Sequence, residues 1–202
     1  MKTNKEYKET ALAALKGNWP QAVLLGLVIL LITSVSTVSG FFSIAVSVCV
    51  LMPLTVGVFV AFRELLHGNA EKITEKSFRI GFGNWKHNTR GMLLMCVYVF
   101  LWSLLLIVPG VVKSLSYALT PFILHDRPEL SENEAIELSM KMMEGRKMDL
   151  FLLYLSFVGW ALLCILTLFI GFLWLEPYIY ATTAAFYEDV KADYESGNII
   201  VA

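Results

Sequence analysis

Fifteen of the sixteen lysines and arginines fall into four clusters: Lys2 to Lys16, Arg63 to Arg90, Arg127 to Lys147, and Lys191 alone. The stretches between the clusters are almost uncharged and long enough to cross a bilayer, which needs about 20 apolar residues per helix. Basic loops stay on the cytoplasmic side of a membrane. With all four clusters there, the chain must leave and return between each pair. The expected fold is therefore an all-α integral membrane protein of six transmembrane helices in three hairpins, with both termini cytoplasmic.

Composition agrees with that class. Charged residues make up 16% of the 202 residues and mean hydropathy is +0.65, whereas a soluble domain carries about 25% charged residues. No stretch resembles a separate soluble domain, so residues 1–202 read as one membrane domain. A formal net charge of −1 gives no reason to expect nucleic acid as a partner. Basic residues beside helix ends instead point to membrane lipids. Cys49, Cys96 and Cys164 lie in apolar segments without metal-ligand or redox spacing and read as small packing residues. The N-terminal residues alternate Lys and Glu with apolar residues and show no cleavage site, so the first apolar segment is expected to be a retained anchor.

Each hairpin is expected to follow an amphipathic helix on the cytoplasmic surface. Residues 5–16 place Tyr7, Ala11, Leu12 and Leu15 on one face. In residues 73–85, Phe78, Phe82 and Trp85 share a face, although Gly81 and Gly83 weaken a helix. Ser131-Glu132-Asn133-Glu134 is a capping box that opens a helix to about Gly145, with Ala135, Leu138 and Met142 on its apolar face. Between these segments, Gln21 to Phe62 is uncharged and holds two crossings, with the polar run Thr33 to Gly40 as the outside turn. The second hairpin turns at Pro109-Gly110, a strong turn pair. Its return arm, 111–125, is short, and a five-span variant in which it only dips into the bilayer stays open. The third hairpin turns near Gly171 and returns through Pro177 to Tyr187.

The hairpins read as copies of one unit, 5–68, 69–130 and 131–194. Gly17, Gly83 and Gly145 end the three surface segments at intervals of 66 and 62 residues. Pro53 and Pro177 are each followed by Ala, Phe and Glu at matching offsets: Ala61, Phe62 and Glu64 against Ala185, Phe186 and Glu188. All three units run in one direction, whereas many alternating-access carriers use inverted repeats.

Two charges stand apart from the loops, Lys113 and Glu176. At 1.5 Å per helical residue they lie about 4.5 and about 7.5 Å below their turns. Pairing would relieve the cost of a lone charge, so a Lys113–Glu176 contact is expected near the outer face, with Tyr117 and Tyr178 beside it. It would form a candidate polar site for an ion or headgroup; the alternative is that both side chains snorkel to water. His67, His87 and His125 read as solvated loop residues. No nucleophile with a base, no paired intramembrane acids and no metal or cofactor motif emerge, so no catalytic, cofactor-binding or metal residue is assigned.

The segments Leu106 to Tyr117, Glu134 to Ser139, Met142 to Gly145, Leu155 to Trp160, Pro177-Tyr178 and Phe186-Tyr187-Glu188 together resemble a bacterial membrane family, domain of unknown function 975. The signature positions are Pro109, Gly110, Glu134, Ser139, Gly145, Trp160, Pro177 and Tyr187. A more distant similarity is to the membrane region attached to some glycerophosphodiester phosphodiesterases, whose activity is not implied for these residues. The resemblance implies a multi-pass protein of the bacterial cytoplasmic membrane and transfers no biochemical role. The leading expectation is a non-enzymatic membrane organiser or scaffold that binds protein partners at its cytoplasmic surface helices. The alternative is a small-solute or lipid transporter with its polar site near the outer face.

Overall fold

The structure is a computed structural model and describes residues 2–38, 42–69 and 72–197. The regular structure of the described residues is all helix, with no strand. The elements of the first third are α1 (Asn4–Leu15), α2 (Trp19–Val38), α3 (Phe42–Val46), a π-helical turn (Ser47–Leu51) and α4 (Met52–Leu66). The second third holds α5 (Ile73–Gly83), α6 (Trp85–Leu105), α7 (Ile107–Ser116) and α8 (Thr120–Asp126). The last third holds α9 (Glu132–Met142), α10 (Lys147–Leu155), α11 (Val158–Leu166) and α12 (Phe172–Glu195).

Three helical stretches are long and apolar enough to cross a membrane: Ile44–Leu66, Ile107–Asp126 and Lys147–Leu166. A fourth is reached if Asn4–Leu15 and Trp19–Ser34, bent by 98°, count as one broken span.

The returning arms α4, α8 and α12 form the centre, because their inward residues are apolar or small. Val56, Val60, Phe122, Ile123, Ala184 and Phe186 are all buried. Aromatic rings join the three: Phe59 meets Phe122 and Tyr180 edge-on at 5.2 and 5.1 Å, and Phe122 stacks on Tyr187 at 4.4 Å. Outgoing arms lie outside them and expose apolar side chains such as Leu30, Leu31, Phe100, Leu104, Leu162 and Leu163. A water-facing surface of this kind would be strongly unfavourable; lipid would leave it satisfied.

The packing runs in a ring. Helix α5 lies on α4, α9 on α8, and α1 on α12. Likewise α6 packs on α4, α10 on α7 and α2 on α12. Each of the three short helices buries residues at a spacing of four. These are Tyr7, Ala11 and Leu15 on α1, Ile73, Ser77 and Gly81 on α5, and Ala135, Ser139 and Met143 at α9. The α4–α5 contact is the tightest: a Cβ on Gly57 would stand 1.9 Å from the Ser77 carbonyl oxygen, and one on Gly81 2.6 Å from that of Pro53.

Several expectations need correction. The buried face of α5 is Ile73, Ser77 and Gly81, while Phe82 and Trp85 point outward. The glycines permit backbone-to-backbone packing against α4, while Phe78 packs beside that contact and the Trp85 indole donates to the Cys49 carbonyl at 2.8 Å. Pro109-Gly110 is not the turn of the second hairpin. The chain reverses at Leu106 (φ −162°, ψ 148°), and both residues sit in the first turn of α7, where proline costs no hydrogen bond. Gly110 instead lets α7 approach α6, since a Cβ there would meet the Ser103 hydroxyl oxygen at 2.4 Å. The third hairpin reverses before Gly171, at Leu168 and Phe169, whose φ values are 53° and 67°. Helix α2 runs through the polar run from Thr33 to Val38; the rest of that expected turn, Ser39 and Gly40, lies outside the described residues. Gly17 and Gly145 adopt positive φ (87° and 73°), but α5 ends on the Asn84 backbone instead of on a left-handed Gly83. Cys164 packs inside the protein, whereas Cys49 and Cys96 face outward.

Candidate functional site

The most densely organised polar region joins the ends of the three returning arms, and α12 builds it by helical spacing. Tyr187 and Lys191 are four apart and share one face; Asp189 and Asp193 are four apart and share another.

The first face meets Asp126, the last residue of α8. Its carboxylate accepts hydrogen bonds from the Tyr187 hydroxyl at 2.8 Å, from Lys191 Nζ at 2.7 Å and from Arg63 of α4. His125 Nδ1 stands 3.5 Å away. Arg63 Nε lies 2.6 Å from Glu188 Oε1, yet the two atoms lack hydrogen-bond alignment, so this contact is chiefly charge against charge. His67 Nε2 approaches the same Glu188 oxygen at 3.5 Å. Arg63 and Lys191 both lie over the Tyr187 ring, at 5.5 and 5.8 Å. The side chain of Asp126 is only 9% exposed.

The second face meets Arg146, which follows the α9 terminator Gly145. Its guanidinium bonds Asp193, lies 3.4 Å from Asp189 and 3.8 Å from Asp149, and is itself buried. Tyr7 of α1 donates to Asp189 at 2.6 Å and packs edge-on against Phe186. Burial, and then the bond to Asp189, hold the Tyr7 phenol well above its ordinary pKa, so it remains a donor. A smaller pair, Lys76–Glu64 at 3.2 Å, ties α5 to the end of α4.

These groups pair with one another across α1, α4, α8, α10 and α12. The arrangement holds five helices at one level and includes no nucleophile beside a base. Among the described residues no group of three or more His, Cys, Asp or Glu is placed to hold a metal.

The expected Lys113–Glu176 contact does not form. Lys113 lies on α7, which packs on α6 and α10, while Glu176 lies on α12, which packs on α1, α2 and α4. Lys113 Nζ sits 3.7 Å from Met140 Sδ, 5.0 Å from the Trp102 ring centre and 5.9 Å from that of Tyr117. Tyr117 is buried, and its ring lies 6.4 Å from that of Tyr98. Tyr178 packs edge-on against Phe157 at 5.2 Å, on another helix from Lys113. Each histidine has a carboxylate within 4 Å; the side chains of His67 and His125 are exposed to solvent, whereas that of His87 is only 19% exposed beside Glu132.

The signature residues have separate structural tasks. Glu134 closes the capping box on Ser131, and the buried Ser139 hydroxyl donates to the Ser116 carbonyl at 2.8 Å. Pro177 packs near Gly26, Trp160 is exposed, and Tyr187 is part of the Asp126 cluster. Sequence reasoning missed Arg63, Asp126, Arg146, Asp189, Lys191 and Asp193 as a site. The available signal was the pair of four-residue spacings on α12; its partners, 43 to 182 positions distant, leave no local trace.

Fold and site together define an all-helical protein with membrane-length apolar stretches, clamped at one end by ion pairs. The chain belongs to the family described as Protein of unknown function (DUF975), whose model matches residues 86–194. That match includes Asp126, Arg146, Tyr187 and Lys191 but stops short of Arg63 and Tyr7. No curated protein and no solved structure matches the chain.

Proposed function

We propose that this protein is a non-enzymatic, multi-pass membrane protein that serves as a scaffold for lipids and partner proteins, with its charged end in the cytoplasm. The observation that carries the reading is the mutual neutralisation of Arg63, Asp126, Lys191, Arg146, Asp189 and Asp193 at the helix ends. Groups committed to each other in this way favour one fixed arrangement over a cycle of opening and closing. Opposite this end, Leu106, Ile107, Val108, Leu166 and Leu168 leave the hairpin tips apolar and exposed, as lipid contact requires.

Three hairpins, six crossings and a threefold internal repeat are the topology we assign to it. The ring of packing supports that assignment, because α1 stands to α12 as α5 stands to α4 and α9 to α8. The inward faces of α1, α5 and α9 are occupied within the fold. Partner contacts therefore fall to their outward charged faces, which carry Lys5 and Glu9, Lys72 and Glu75, and Glu137 and Lys141.

Spin labels at Leu31 and Leu166 on the apolar side, and at Glu9 and Glu75 on the charged side, test the fixed arrangement in lipid nanodiscs. A scaffold gives one narrow distance distribution for each pair. Two populations whose proportions change together in opposite senses on the two sides would establish an alternating-access carrier instead.

A further inference from the structure

Lys113 is the one basic residue outside the four clusters, and its surroundings differ from those of every charge in the clamp. Its ammonium meets the rings of Trp102 and Tyr117 and the Met140 thioether, and no carboxylate among the described residues. Aromatic faces and a sulfur attract a cation, but they carry no countercharge. Beside it, Trp102, Val108, Pro109 and Val112 line an open cleft of about 290 Å³ with wholly apolar walls. Val108, Val111 and Val112 are exposed on the same stretch of α7, so the cleft opens onto the apolar exterior. The Lys113 stem lines this cleft and its ammonium lies beside it, an arrangement that matches a molecule with an anionic head and a hydrocarbon tail. Tryptophan beside the cation fits the level of headgroups.

We propose that Lys113 binds the phosphate of an anionic phospholipid whose acyl chain lies in the cleft along Val108, Pro109 and Val112. The proposal rests on the membrane reading above. Charge complementarity selects the occupant: phosphatidylcholine has the same phosphate but brings its own cation.

The test uses the full chain in vesicles of equal phosphatidylglycerol and phosphatidylcholine, followed by gentle extraction and native mass spectrometry. Wild-type protein should retain phosphatidylglycerol at least fivefold over phosphatidylcholine. Lys113→Gln should abolish the preference, and Lys113→Arg should keep it. Wild-type and Lys113→Gln proteins retaining the two lipids alike would overturn the proposal. If Lys113→Gln fails to fold, fluorescence decides. Phosphatidylglycerol brominated on its acyl chain should quench wild-type protein more than Trp102→Phe, and equal quenching would overturn the proposal. A chain that does not float with the vesicles contradicts the membrane reading itself, whereas one that floats without lipid preference overturns the lipid site alone.

Discussion

Asp126 receives three donors from α4 and α12 while nearly closed to solvent, so its charge is tolerable only because all three are present. Removing one partner of a buried pair leaves the other uncompensated, at a cost of about 3 kcal/mol. Arg63→Met and Arg146→Met should therefore each lower stability by about that amount in a denaturation series in detergent. Lys5→Ala should change it by less than about 1 kcal/mol, because the Lys5–Glu9 pair is exposed and screened. Equal effects for Arg63→Met and Lys5→Ala would mean that the clamp contributes little. These roles were only partly legible in the sequence. Arg63, Arg146 and Lys191 stood out as basic residues at the edges of apolar stretches, and that placed them at helix ends. Their acids lie up to 125 positions away for Arg63, and only the folded chain shows which cation meets which carboxylate.

Helices whose signals are local were the most legible elements. Residues 5–16 were expected to be helical and Asn4–Leu15 is; the capping box at Ser131 marks the start of Glu132–Met142. Breaks set by packing were not. Pro109-Gly110 has the composition of a turn, but the close approach of α6 and α7 gives Gly110 another use, and the reversal falls on Leu106, which has no turn chemistry. Two predictions belong here. Gly57→Ala should cost about 1–3 kcal/mol, since its methyl would enter the α5 backbone. Gly159→Ala meets nothing within 4 Å on α11 and should be neutral or stabilise by about 0.5–1 kcal/mol; thermal melting of the two variants compares them directly. For α9, Ser131 bonds lower the Glu134 pKa below the ordinary 4.5. The stabilisation of the helix start is thus present above that ordinary value and lost as pH falls through the lower folded one. Protection of the amides at residues 132–136, taken relative to the intrinsic exchange rate at each pH, should fall in acid, and Ser131→Ala should lower it at neutral pH.

At the scale of the molecule, charge and apolarity divide along the helix axes. Ion pairs gather where α4, α8 and α12 end, and bare apolar tips occupy the other ends of the second and third hairpins. The alternation of basic clusters and uncharged stretches made this division visible from the sequence. The order of helices around the centre was not visible, because α1 joining α12 depends on contacts between opposite ends of the chain. The most direct test of the account is sidedness. In a chain with Cys49, Cys96 and Cys164 replaced by serine, single cysteines at Glu9, Glu75, Glu129 and Glu195 are labelled with an impermeant maleimide in intact cells and in inverted vesicles. The account predicts that all four react only in inverted vesicles; reaction of any one from outside intact cells would place that hairpin base across the membrane and contradict it.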